Sequence, residues 1–212
     1  MTHSLDQRNE YQGNALLESN IEKNPFSQFD QWFQKVDPNI INEPNAATLS
    51  TINNENKPKS RIILIKEMTS DSFIFYTNYQ SPKAKDLYQN PHASLVFYWD
   101  HYCQQIRIEG RVSICTPEKN NQYFKSRPFE SQVMALISQQ SSPLSSREQL
   151  HSEYEPKLKA LSPKDLQCPD YWGGFEIKAS YFEFWQGQKN RLHDRICYQK
   201  TGSTWKTSRI YP

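Results

Sequence analysis

Five short stretches follow one another between residues 46 and 115: AATLSTI, SRIILIKEM, SFIFYTN, ASLVFYWD and QQIRIEGRVSIC. Each is rich in β-branched or aromatic residues and is bounded by Asn, Pro, Lys or Asp, the composition of strands that end in turns. Only SPKAKDLYQNP among them reads as a helix, with Ser81 at the N-cap and Pro82 at the first helical position. Three further strand candidates close the chain: GGFEIKASYFEFWQ, RLHDRICYQK and STWKTSRIY. Many sequential strands with few helices between them argue for an antiparallel barrel rather than a βαβ sheet. The expected class is therefore mainly β with peripheral helices.

The remaining elements fit around that sheet. In NPFSQFDQWFQKV, Asn24 can cap a helix, and Phe26, Phe29, Phe33 and Val36 recur at helical spacing. A helical stretch is expected from about Pro117 to Leu161, interrupted at Pro128 and Pro143. Residues 1–23 are polar and read as a mobile arm; residues 24–212 read as one domain. With 36% hydrophobic residues, much of the burial falls to 11 Phe, 12 Tyr and 5 Trp, which leaves flat surfaces for a planar ligand or a second subunit.

Composition also excludes. A formal net charge of +2, from 25 basic and 23 acidic residues, is too balanced for a general polyanion binder, so any anion site must be local. The cysteines at 103, 115, 168 and 197 have no metal-ligand spacing, and the start of the chain has no apolar signal region, so reduced thiols in a cytoplasmic protein are expected. No apolar run is long enough for a membrane span. There is no GxGxxG, P-loop, GxSxG or HExxH, and no metal site is expected.

Several cations stand where an anion could use them. SRIILIK is apolar through its middle and should be buried on both faces, with Arg61 and Lys66 at its ends on opposite sides. Lys83 falls in the first turn of a helix, where free N–H groups and the helix dipole favour phosphate, although first-turn lysines are also common surface charges. Tyr123, Arg127 and Ser131 are four apart, with Pro128 expected to break the helix at Arg127. In RLHDR, read as strand, Arg191, His193 and Arg195 share one face, a polar face with no apolar use.

Taken together, RNEY, RIILIK, FYTN, SPKAKDL, YFKSRPFESQ, SQQSS, YWGGF and FWQGQKNRLHDR resemble, in order and over nearly the whole chain, the pyridoxamine 5'-phosphate oxidase family. The resemblance implies a split β-barrel homodimer with FMN held at the subunit interface. It implies an FMN-contacting set of Arg61, Ile62, Ile63, Leu64, Ile65, Lys66, Tyr76, Thr77, Lys83, Gln105, Gln140, Ser141, Trp185 and Arg195. It implies a substrate set of Arg8, Asn9, Glu10 and Tyr11 in the arm, with Lys66, Tyr123, Arg127, Ser131, Arg191, Leu192 and His193; of these, Arg191 and His193 are the expected catalytic pair. The implied reaction takes pyridoxamine or pyridoxine 5'-phosphate and O2 to pyridoxal 5'-phosphate and hydrogen peroxide, the last step of vitamin B6 cofactor synthesis, with no nucleic-acid or membrane partner. This chain departs from the family pattern at Pro82, where the usual motif carries an Arg for the FMN phosphate. Two other classes remain: a non-catalytic binder of flavin, haem or pyridoxal phosphate on the same barrel, and a nucleic-acid module using aromatics with interleaved bases such as FWQGQKNR.

Overall fold

The computed structural model describes residues 10–212; Arg8 and Asn9 lie outside the described residues. The chain divides into two compact units: one of the described residues up to Leu49 with Ser94–Glu109 and Ala179–Pro212, the other of Ser50–Ala93 and Gly110–Lys178. The strands are β1 (Ala46–Ile52), β2 (Pro58–Leu64), β3 (Glu67–Met68), β4 (Ser72–Asn78), β5 (His92–Trp99), β6 (Gln104–Ile114), β7 (Trp172–Gln186), β8 (Asp194–Thr201) and β9 (Thr204–Arg209). Their order is β2-β1-β5-β6-β7-β4-β3, with β8 pairing β7 and β9 pairing β8. The pairs β3–β4, β4–β7, β7–β8 and β8–β9 are antiparallel. The mainly β class with peripheral helices is thus what the strand composition demanded, as an open order rather than a closed ring.

In the first unit, the helix α1 (Pro25–Phe33) starts where Asn24 Oδ1 accepts the Phe26 N–H at 2.9 Å. Its aromatic stripe is buried: Phe26 meets Phe182, Phe29 meets Phe97 and Trp32 meets Phe184, edge to face at 5.0, 5.0 and 5.2 Å. Truncating any one of them to Ala costs about 3–5 kcal/mol. Along β7 the buried aromatics Phe182 and Phe184 alternate with Glu183 and Trp185, so the strand turns one face to the core and a different one to chemistry.

In the second unit β4 pairs with the start of β7, Tyr76 opposite Gly174. The second glycine is needed for close approach: a Cβ on Gly174 would lie 2.8 Å from Cys115 Sγ and 2.9 Å from the Tyr76 ring. The helices are α2 (Pro82–Gln89), α3 (Pro117–Ser126), α4 (Phe129–Ile137) and α5 (Arg147–Ala160). Thr116 caps α3, which stops at Arg127 because Pro128 forces that residue into an extended conformation, φ −74° and ψ 153°.

Two expectations fail. SRIILIK is not buried on both faces: β2 ends the strand order, and Ile62 is 65% exposed. Ile62, Ile63 and Leu64 instead line an open cavity, so apolarity here does not mean burial. RLHDR is not a strand, since β8 begins only at Asp194. Asn190 and Arg191 take left-handed φ values of 55° and 60°, so Lys189–Arg191 forms a tight turn, and the common face of Arg191, His193 and Arg195 does not come from strand alternation.

Candidate functional site

The second unit holds a cavity of about 610 Å³. Its walls come from the end of β2 and the residues after it (Ile62, Ile63, Leu64, Lys66), from Tyr76 and Thr77 of β4, from Lys83, from Tyr123, Ser126, Arg127, Pro128 and Ser131 around the α3–α4 break, and from Gln140 and Trp172. The β4–β7 pairing sets Tyr76 and Thr77 beside the start of β7, and the Pro128 break turns Arg127 out of the helix register.

Lys83 lies in the first turn of α2, behind Ser81. Its Nζ donates to Thr77 Oγ1 at 2.9 Å, Ser81 Oγ at 3.2 Å and Gln140 Oε1 at 2.8 Å, all of them neutral acceptors. Ser81 does not cap the helix through its side chain, so its hydroxyl is free to serve the lysine instead. Burial, and then the charge of Arg61, push the Lys83 ammonium down to about 8. Arg61 donates from Nη1 to Thr51 Oγ1 at 2.8 Å and stands 3.7 Å from Asp86; burial lowers its pKa and the carboxylate opposes the shift. A desolvated lysine at a helix N-terminus, beside a second cation and with neutral acceptors only, fits a phosphate monoester.

Elsewhere on the wall stands a cluster of three parallel aromatic rings. Tyr76 and Tyr123 stack at 3.8 Å and 13°, and both run nearly parallel to Trp172, at 5.7 and 6.2 Å. The Arg127 guanidinium lies over Trp172, 4.6 Å from the ring centroid. Its Nη1 is buried and has no hydrogen-bond partner. Burial also lowers the Arg127 pKa, so this is a cation kept from water and short of an acceptor. Tyr76 Oη donates to Glu67 at 2.7 Å, and Lys119 holds Glu67 at 2.9 Å. Burial and that carboxylate raise the Tyr76 phenol far above its ordinary value, so it stays protonated.

The first unit carries the other expected residues. Tyr11 packs edge-on against Trp185 and His193 at 5.3 and 5.4 Å, and Trp185 lies 4.8 Å from His193. The Gln188 N–H donates to His193 Nδ1 at 3.0 Å, which leaves the neutral ring's proton on Nε2. Burial and then Arg191 lower the His193 pKa below the usual imidazole value. Trp185 is paired directly across the strands with Arg195, and Arg195 is bonded to Glu183 and to the Tyr211 carbonyl.

Of the sequence-derived sets, Ile62, Ile63, Leu64, Lys66, Tyr76, Thr77, Lys83, Tyr123, Arg127, Ser131 and Gln140 are brought together in the one cavity. Arg61 stands next to Lys83 without lining it, Ile65 is buried, and Ser141 is exposed in a left-handed turn. Tyr11, Trp185, Arg191, Leu192, His193 and Arg195 belong to the other unit, as do Glu10, which is exposed, and Gln105, half-buried on β6. Sequence reasoning passed over Trp172, although it sits in the YWGGF segment, and over Glu67 and Glu183, acidic residues that no motif marks.

Comparisons with known proteins identify the family. Residues 36–155 match the family profile described as "Pyridoxamine 5'-phosphate oxidase", and residues 172–212 match "Pyridoxine 5'-phosphate oxidase C-terminal dimerisation region". The chain is 40% identical over 213 residues to "Pyridoxine/pyridoxamine 5'-phosphate oxidase" from Cyanothece sp., with all of both chains covered. It is 41% identical over 207 residues to the protein of the same name from Legionella pneumophila, covering 98% of this chain and 96% of that one. Among solved structures, PhzG from Burkholderia lata, in complex with tetrahydrophenazine-1-carboxylic acid, is 26% identical with a TM-score of 0.85 over 94% of this chain and 99% of that one. A pyridoxamine 5'-phosphate oxidase-related, FMN binding protein from Nostoc punctiforme shares the fold at 12% identity, TM-score 0.72, over 89% of this chain and 97% of that one. With a family profile spanning more than half its length and full-length relatives at this identity, the chain belongs to the pyridoxamine 5'-phosphate oxidase family.

Proposed function

We propose that the chain is an FMN-dependent oxidase, a homodimer, that converts pyridoxine 5'-phosphate with O2, or pyridoxamine 5'-phosphate with O2 and water, to pyridoxal 5'-phosphate and hydrogen peroxide, the amine route also releasing ammonia. The observation that carries this reading is the pair of desolvated cations in one cavity: Lys83 at a helix start and Arg127 with a buried, partnerless Nη1. FMN and the substrate each end in a phosphate monoester, and each cation offers one of them a seat. The flavin, when bound, accepts two electrons from the substrate and returns them to O2.

The chain's own residues do the rest. Lys83, with Arg61 behind it and Thr77 and Gln140 around it, holds the cofactor phosphate; Pro82 can add neither charge nor N–H to that seat. Arg127, steadied on Trp172, holds the substrate phosphate with Tyr123, Ser131 and Lys66 on the same cavity wall. His193 donates from Nε2 because its Nδ1 is already taken, and with Arg191 it orients the substrate carbon that is oxidised. The dimer is supported by the match to a dimerisation region over residues 172–212, and a reducing, cytoplasmic setting by four free thiols.

The test is direct. Purified protein should carry a flavin spectrum, and pyridoxine 5'-phosphate in air should yield peroxide and pyridoxal 5'-phosphate in equal amounts. Dependence on O2 separates this reading from a storage protein. Oxidation of a carboxylated heterocycle in preference to a phosphorylated one would refute it in favour of chemistry like that suggested by the PhzG ligand.

A further inference from the structure

Glu183 has no place in the functional sets above, yet its setting is the most constrained of any acid described here. It lies on β7 on the face opposite Phe182 and Phe184, two residues from Trp185, and is only 2% exposed. Its Oε1 accepts from Arg195 Nε at 2.8 Å and from Arg195 Nη2 at 2.7 Å; its Oε2 accepts from Arg107 Nη1 at 2.8 Å. The Tyr181 hydroxyl approaches Oε2 at 3.3 Å and also donates to Cys197 Sγ at 3.1 Å. Arg107 spends its other end on Glu109 at 3.0 Å, and the remaining Arg195 Nη1 donates to the Tyr211 carbonyl at 2.9 Å.

An arrangement of this kind is a poor device for folding. Taking a carboxylate out of water is expensive, and a well-packed apolar replacement is often as stable or more so. What the trio does achieve is geometric. Two nitrogens of one guanidinium are fixed to a single oxygen, so Arg195 cannot rotate away from its place opposite Trp185. It also achieves an electrostatic balance: the Glu183 charge is shared between two cations, one of which, Arg107, is itself partly offset by Glu109, so Arg195 presents a partly offset charge to whatever lies before it.

We infer that Glu183 is a positioning residue for Arg195, and that the Arg107–Glu183–Arg195 relay sets how strongly the protein favours reduced over oxidised flavin. The inference rests on the reading that Arg195 faces the bound flavin. Removing the relay's negative charge leaves more positive charge before the flavin and favours the anionic reduced form. Removing Arg107 returns the whole carboxylate to Arg195 and does the opposite. Opposite signs from two neighbours in one network are not what loosened packing produces.

The experiment compares Glu183→Gln, Arg107→Gln and Arg195→Gln in the flavin-loaded protein, measuring the midpoint potential of bound FMN and the FMN dissociation constant, with Glu183→Asp as the conservative variant. Glu183→Gln should raise the preference for reduced flavin roughly tenfold, which for a two-electron couple is about 30 mV upward. Arg107→Gln should move the potential downward, and Glu183→Asp should lie nearer wild type than Glu183→Gln. If Arg195→Gln shifts potential or affinity while Glu183→Gln and Arg107→Gln do not, or shift it the same way, the relay is overturned and the flavin reading stands. If none of the three shifts either quantity, Arg195 does not face the flavin and both fall. Should Glu183→Gln fail to fold, Arg107→Gln decides alone: its side chain is 39% exposed, and a downward shift supports the relay while no shift or an upward one overturns it.

Discussion

Replacing Lys83 by Met tests the cofactor seat from two sides. The substitution keeps an unbranched chain of similar length and removes the charge. In the wild-type protein without cofactor, the ammonium is depressed from its ordinary 10.5 to about 8 because it is held out of water near Arg61, against acceptors that carry no charge. A lysine whose folded pKa lies below its unfolded value destabilises the fold. The penalty is fully present below about pH 8, shrinks as pH rises toward about 10.5, and is absent above that. The full shift converts to roughly 3 kcal/mol, and screening at a group that is more than a third solvated reduces this to about 1–2 kcal/mol. Lys83→Met should therefore make the apo-protein more stable by about 1–2 kcal/mol at pH 7, while forfeiting a charge-assisted phosphate contact of about 1.5–3 kcal/mol, or roughly tenfold to a hundredfold in FMN affinity. Urea denaturation of the apo-protein from pH 7 to 10 and an FMN titration read the two effects separately. A variant that is less stable than wild type, or one that binds FMN unchanged, would show that the lysine is a packed structural cation and not a vacated anion seat.

Arg127→Ala should raise KM for the phosphorylated substrate by roughly tenfold to a hundredfold with little change in kcat, and discrimination against unphosphorylated pyridoxine should shrink in parallel; steady-state kinetics on both substrates check this. His193→Ala and Arg191→Ala should each lower turnover with FMN still bound. The wild-type rate should hold below the ordinary imidazole pKa before it falls, because the protein keeps His193 neutral there; loss of flavin without loss of turnover per bound flavin would contradict the assignment. Pro82→Arg should tighten FMN binding, by a few tenths of a kcal/mol if the added guanidinium is solvated and by about 1.5–3 kcal/mol if it is buried, as apo-protein titration would show.

Much of this is legible in the sequence. Period-two and aromatic-rich stretches placed eight of the strands, because sheet burial writes itself into local composition, and Ser81-Pro82 and Pro128 marked a helix start and a helix break by steric rules that need no tertiary context. The gathering of Lys66, Lys83, Tyr123 and Arg127 around one cavity is legible only through ordered motifs, since residues on separate elements tens of positions apart carry no mutual spacing signal. RLHDR misled because alternation is read on the assumption of extended backbone, and the left-handed Asn190 and Arg191 at its start cancel it. Ile62 misled because apolarity predicts burial, whereas this side chain lines an open cavity. Trp172 and Glu183 were invisible for a plainer reason: they act on other side chains, and such roles leave no pattern in a sequence.

Gly174 is not among the residues that line the 610 Å³ cavity, yet it sits directly behind one of them, Tyr76. A methyl group there would collide with the Tyr76 ring, and Tyr76 is stacked on Tyr123, with Trp172 parallel beside the pair and Arg127 over Trp172. Flat rings in contact transmit a push because they cannot be compressed. The missing Cβ thus sets where the Tyr76 ring can stand, and an effort to reshape the cavity for a bulkier or slimmer substrate would do well to begin at this position outside its lining.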